Sequence, residues 1–186
     1  LLWNTTGCFN TGSGYNASRA NTTGCMNTSY GYEALKCTTT PNFITAIGSR
    51  ALKNNTTGAA NTASGYGALR ENTTGACNAA YGYYALKANT TASYNTAVGV
   101  CSLVANTTGA NNTAIGFKAL MTNTTGASNT ASGYRSFLYN TTGSYNSGHG
   151  YETLLYNTTG DNNTASGFYA LRSNTTGCLN TAIGRH

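Results

Sequence analysis

The chain has 186 residues, with ten Lys/Arg against four acidic residues, one proline and 23 glycines. Its net charge of +6 comes from a shortage of acids (Glu33, Glu71, Glu152, Asp161), so a nucleic-acid partner does not follow from it. No apolar run is long enough for membrane insertion, and Tyr and Leu recurring at fixed spacing exclude the aromatic-poor composition of disordered chains.

After Leu1-Leu2-Trp3, the tetrad Asn-Thr-Thr-Gly starts at Asn4, Asn21, Asn55, Asn72, Asn106, Asn123, Asn140, Asn157 and Asn174, with degenerate copies at Thr38 and Asn89. Every interval is 17 residues or a multiple, so residues 1–186 read as one repeat domain of eleven units, N-T-T-G-x-x-N-T-A-x-G-Y-x-A-L-x-x. A unit this short cannot hold a helix pair, but it suits one coil of a stack of parallel strands. The expected fold class is therefore all-β: a parallel β-solenoid (β-roll) of eleven coils. Coils rising about 4.8 Å each would span roughly 50 Å. The constant unit length has a cause, since one extra residue would throw every later side chain off its column. The chain has no initiator Met and no signal peptide, and both ends fall inside a unit; the expectation is an excerpt of a longer fibre.

Along the unit, positions 1 to 3 form N-glycosylation acceptors at Asn4, Asn21, Asn55, Asn72, Asn89, Asn106, Asn123, Asn140, Asn157 and Asn174. Sugars one coil rise apart would crowd, so stacking of Asn at a turn is the favoured reading, with partial glycosylation left open. Position 4 is usually Gly, yet Pro41 and Ala92 occupy it, so it does not require positive φ. Position 5 places Cys8 and Cys25 in one column of adjacent coils, a candidate disulfide; Cys178 shares that column and would allow a link between subunits. Cys37, Cys77 and Cys101 have no evident partner.

Position 7 is Asn10, Asn27, Asn61, Asn78, Asn95, Asn112, Asn129, Asn146, Asn163 and Asn180, interrupted by Ile44, and predicts a ladder of stacked amides. Position 11 is glycine throughout: Gly14, Gly31, Gly48, Gly65, Gly82, Gly99, Gly116, Gly133, Gly150, Gly167 and Gly184. Such a column demands positive φ or a close backbone approach. Aromatic residues dominate position 12, Leu position 15 and small residues positions 9 and 14, predicting a thin core of Ala, Leu and rings. The Asn-Thr-Ala side predicts a strand, whereas Gly-Tyr-x-Ala-Leu is open to a single helical turn. The third unit, with Pro41, Ile44 and Ser49, is expected to be irregular.

Position 16 runs Arg19, Lys36, Lys53, Arg70, Lys87, then Val104, Met121, Leu138, Leu155, and returns to Arg172. Next to a core Leu it is expected to face outward. Its apolar half, flanked by Tyr139 and Tyr156, then predicts an exposed stripe on which subunits dock. Threonine columns raise ice binding, but two outward columns on one strand are not evident. Paired carboxylates, a phosphate-binding loop and a nucleophile with its base are lacking, so no catalytic residue, cofactor or enzyme activity is expected. Four scattered acids do not build calcium repeats, no Cys-x-x-Cys spacing suggests zinc, and His149 and His186 lack neighbouring ligands.

The run Asn112-Thr113-Ala114-Ile115-Gly116-Phe117-Lys118-Ala119-Leu120, followed by Asn123-Thr124-Thr125-Gly126, resembles repeats of bacteriophage tail-fibre-like and bacterial surface proteins. Its Asn-Thr-Ala-Ile-Gly core is similar to the head repeats of trimeric autotransporter adhesins, whose period is shorter. The resemblance implies an extracellular or virion-surface location and a fibre or adhesin segment. The functional expectation is the rigid shaft of a self-assembling fibre. The alternative is an adhesin surface that recognises glycans or, less favoured, ice. The partner expected is the chain itself, or surface glycans, with no nucleic acid.

Overall fold

The computed structural model describes residues 1–185. It is a parallel β-solenoid in which eleven three-residue strands, from β1 (Thr11–Ser13) and β2 (Thr28–Tyr30) to β11 (Thr181–Ile183), form one sheet in chain order. Coils are numbered here by their units, coil 1 starting at Asn4. Every pairing joins residues one unit apart, from Thr11 opposite Thr28 to Thr164 opposite Thr181. No register slip occurs, because every coil has the same length.

The strands are short because both ends are held. Before every strand but β3, where Ile44 stands, a position 7 amide is committed to the stack: Asn61 Oδ1 accepts the Asn78 N–H at 2.9 Å, and Asn61 Nδ2 donates to the Gly75 carbonyl at 2.7 Å. After each strand the position 11 glycine turns the chain at φ between +116° and +142°. A Cβ on Gly82 would stand 2.6 Å from the Gly99 carbonyl oxygen, so glycine is required there by both conformation and space. Within each strand, position 9 points inward and position 10 outward, the alternation a pleated strand imposes.

Gly-Tyr-x-Ala-Leu forms no helix. It makes linked turns, with the Ala34 N–H on the Gly31 carbonyl (3.3 Å) and the Asn55 N–H on the Leu52 carbonyl (3.2 Å). Positions 13 and 15 take positive φ, as Glu33 (55°) and Leu35 (54°) show. The N–H groups of positions 13 and 15 point along the stack: Glu33 N–H donates to Tyr15 O in the coil before, and Leu35 N–H to Ala51 O in the coil after. Bonding between coils overrides the helix propensity of Ala and Leu.

The core is thinner than expected. Ala at positions 9 and 14 and Leu at position 15 are buried, but the position 12 rings lie outside, with Tyr15 68% and Tyr134 41% exposed. They stack on one another along the surface; Tyr134 and Tyr151 have centroids 5.0 Å apart and planes 9° apart. The third coil is regular in the sheet, β3 (Thr45–Ile47) pairing in register on both sides. Its substitutions act locally. Ile44 is buried in place of Asn and ends one branch of the amide ladder, while its own N–H still reaches Asn27 Oδ1.

Candidate interaction surfaces

Among the described residues no group of His, Cys, Asp and Glu is placed to hold a metal ion, and no helix is long and apolar enough to cross a membrane. A cavity of about 550 Å³ lies at the last coils, lined by Leu171, Asn174, Asn180 and Ala182 among others. These residues continue the core and Asn columns, so the cavity is the interior of the stack seen from its end. The surfaces that remain are columns, each built by one position of the unit.

The first edge is the Asn-Thr-Thr turn. Position 1 builds an amide-to-amide ladder, Asn72 Nδ2 donating to Asn55 Oδ1 at 2.7 Å and again to the Gly75 carbonyl at 2.9 Å. Asn21, Asn55, Asn72, Asn89, Asn106, Asn123, Asn140 and Asn157 are at most 1% exposed. Their nitrogens, the atoms a glycan would need, are already donated inward, so the folded stack does not present these acceptors. Asn4 and Asn174 are less covered; Asn174 makes both bonds, and Asn4, in the first coil, donates to the Gly7 carbonyl. The purest amide ladder is therefore at position 1; at position 7 the side chains chiefly bond backbone.

Position 2 hydroxyls are spent as well. From Thr5 to Thr158 each donates to the position 2 carbonyl of the next coil, as Thr56 Oγ1 does to Thr73 O at 2.9 Å. Position 3 is different. It is Thr in all eleven coils and exposed in all of them, and no intramolecular bond engages its hydroxyl among the described residues. It forms a single outward Thr column.

The second surface combines positions 13 and 16, which meet across coils. Glu33 takes Lys36 Nζ at 2.6 Å, Lys53 Nζ at 2.8 Å and Arg50 Nε at 3.8 Å. Hydrogen bonds from Lys36 and then Lys53 lower its carboxyl from the usual 4.5 to about 2. Glu152 joins Arg135 (3.1 Å) to Arg172 (3.0 Å) in the same way. Arg19 lies over the Trp3 ring and Lys87 over the Tyr84 ring, at 4.8 and 4.7 Å. The basic run is thus largely engaged within the chain. Sequence spacing alone concealed the pairing, because Glu33 and Lys53 are twenty residues apart.

The expected outward stripe at position 16 is corrected. Leu138 and Leu155 are only 2% and 1% exposed, and Val104 and Met121 are half-buried. Only Tyr139 and Tyr156 stand at the surface, stacked 5.4 Å apart. Apolar position 16 side chains fold against the stack, because burying them removes apolar area from water.

The third surface is the glycine corner, with exposed apolar residues on both sides of it. Position 10 contributes Tyr30, Ile47, Tyr81, Val98 and Ile115, and position 12 the stacked rings. Position 6 adds exposed apolar groups at positive φ, Phe9, Met26 and Phe43 in a row on coils 1 to 3 and Tyr145 alone on coil 9. Cys8 and Cys25 meet as placed, their sulfurs 2.7 Å apart as free thiols. Cys178 lies in the last coil with its sulfur near Asp161 N–H. His149 is exposed with Ser147 Oγ 3.4 Å away, and His186 lies outside the described residues. Set against protein-family models, curated proteins and solved structures, this chain finds no match in any of the three.

Proposed function

We propose that this chain is a rigid shaft segment of an extracellular fibre, and that it self-assembles. The observation that carries the reading is the unbroken register of eleven coils, whose backbone pairing repeats at every step and whose Asn ladders are interrupted only at Thr38 and Ile44 of coil 3. Each coil offers above what it accepts from below, so a stack lengthens without new geometry, as in repeat solenoids. Bending such a rod would open several ladders at once. The close thiols of Cys8 and Cys25 suit an oxidising location. Resemblance of the repeats to tail-fibre-like and adhesin repeats agrees with this role and supplies no receptor.

Electron microscopy with fibre diffraction tests the proposal. Straight rods with an axial reflection near 4.8 Å are expected. Native material showing flexible or globular particles would end it. A second reading, a face for a regular ligand such as a glycan or ice, is favoured by the outward Thr column at position 3. Replacing Thr57, Thr74, Thr91 and Thr108 by Val should abolish glycan-array or ice-shaping signals if that reading holds, and leave rods unchanged if the shaft reading suffices.

A further inference from the structure

We propose that the glycine corner is a self-docking face, along which a second copy of this chain lies lengthwise. The inference deepens the shaft reading, on which its biological purpose rests, by naming the partner and the surface. Exposed apolar side chains line both sides of the corner, among them Tyr30 (47%), Ile47 (45%), Tyr81 (45%) and Ile115 (44%) at position 10, and Tyr83 (48%) and Tyr134 (41%) at position 12.

Three arguments select a second copy. The first is charge. Nine of the ten Lys/Arg occupy positions 13 and 16; only Arg185 falls at position 12, and no acid falls at 10 or 12. Four cations lie over position 12 rings of their own chain, Arg50 on Tyr32, Lys118 on Phe117, Arg135 on Tyr134 and Arg185 on Phe168, so two chains of net charge +6 meet along this corner with those cations held by ring faces and none at position 10. The second is periodicity. The rings stack face to face in three runs, Tyr15–Tyr32, Tyr66–Tyr83 and Phe117–Tyr134–Tyr151–Phe168, interrupted at Ser49 and Val100, so faces inside each run are covered and the exposed parts are ring edges. A sugar chain stacks on ring faces, which are taken. A ladder of the same rise sets its ridges against these edges along each run, and a second copy has that rise by construction.

The third is area. A strip two columns wide, roughly 12 Å, along a stack of roughly 50 Å covers about 600 Å² per copy. Doubled, that reaches the lower bound of about 1,200 Å² for a specific interface.

The test compares the full chain with Ile47→Ser/Tyr81→Ser/Ile115→Ser. Serine already occupies position 10 at Ser13, Ser64, Ser132 and Ser166, so the substitutions respect the coil. Sedimentation velocity and small-angle scattering over a concentration series give mass and cross-section. The unaltered chain should double its cross-sectional mass as concentration rises. The triple variant should need at least 10-fold more protein to do so, with an unchanged circular dichroism spectrum. Tyr145→Ser, a still more exposed ring at position 6, should pair normally. A wild-type chain that keeps a single cross-section overturns the proposal. So does a triple variant that pairs undiminished, or a Tyr145→Ser chain that loses pairing equally. Single-width rods in micrographs would sink the pairing and leave the shaft standing; paired short particles without rods would do the reverse.

Discussion

Asn21 Oδ1 is buried without a hydrogen-bond partner, and the cause is one substitution in the next coil. Elsewhere an Asn at position 1 donates to the Asn below it; at that step the residue is Thr38, whose hydroxyl turns to the Asn55 carbonyl at 3.2 Å. An orphaned buried acceptor costs stability that a donor can restore. Thr38→Asn is expected to stabilise the chain by about 1 kcal/mol, read as a higher denaturation midpoint. The thiol pair is a second residue-level case. Cys25 Sγ accepts bonds from the Cys8 thiol (2.7 Å) and the Cys8 N–H (3.1 Å), which lowers the Cys25 pKa while that of Cys8 rises. Cys25 should therefore be alkylated faster than Cys8 near neutral pH. With oxidised glutathione as acceptor of the two electrons, the pair should close to a Cys8–Cys25 disulfide adding roughly 3 kcal/mol. Peptide mapping decides both; alkylation of Cys8 first, or no crosslinked peptide, would contradict them.

Between neighbouring coils, core volume is conserved by exchange. Coil 8 carries Phe137 where coils 2 to 7, 9 and 10 carry Leu, and coil 9 carries Gly148 where coils 3 to 8, 10 and 11 carry Ala. A Cβ on Gly148 would overlap the Phe137 ring and sit 2.9 Å from Thr153 Oγ1, so the large ring fills the space the glycine leaves. Gly148→Ala alone should cost about 1–3 kcal/mol by overpacking, and Phe137→Leu alone about 1 kcal/mol through a cavity. Together they recreate the usual Leu and Ala pairing, so the double variant should be more stable than the sum of the two losses. Denaturant titration of the four proteins measures that coupling, and simple additivity would refute it.

Over the whole stack, charge is used to tie coils together. Glu33 of coil 2 reaches Lys53 of coil 3, and Glu152 of coil 9 bridges Arg135 of coil 8 and Arg172 of coil 10. Since Glu33 has a folded pKa of about 2 against an ordinary 4.5, its contribution is fully present above the ordinary value. It drains away as pH falls from there towards 2. Wild-type protein should melt above Glu33→Gln by a constant margin at neutral pH, and the margin should close between pH 4.5 and 2. A margin that persists at the acid end would remove the ion pairs as its cause. Acid should thus loosen the coil 2 to coil 3 contact without touching the Asn ladders, which do not titrate.

The amino-acid sequence by itself determined the coil length, the register and the glycine corner, because a fixed period leaves each residue only its own column to stack in. It also placed Cys8 above Cys25, since adjacency in a column is a property of spacing. Which columns face inward was decided only by the tertiary structure. Tyr at position 12 and Leu138 at position 16 have similar apolar character, yet one is exposed and the other buried, because positive φ at positions 13 and 15 turns the backbone between them. The Glu33 cluster likewise exists only once coils lie side by side. Periodicity dictates what repeats; the path of the backbone within one coil dictates what is inside.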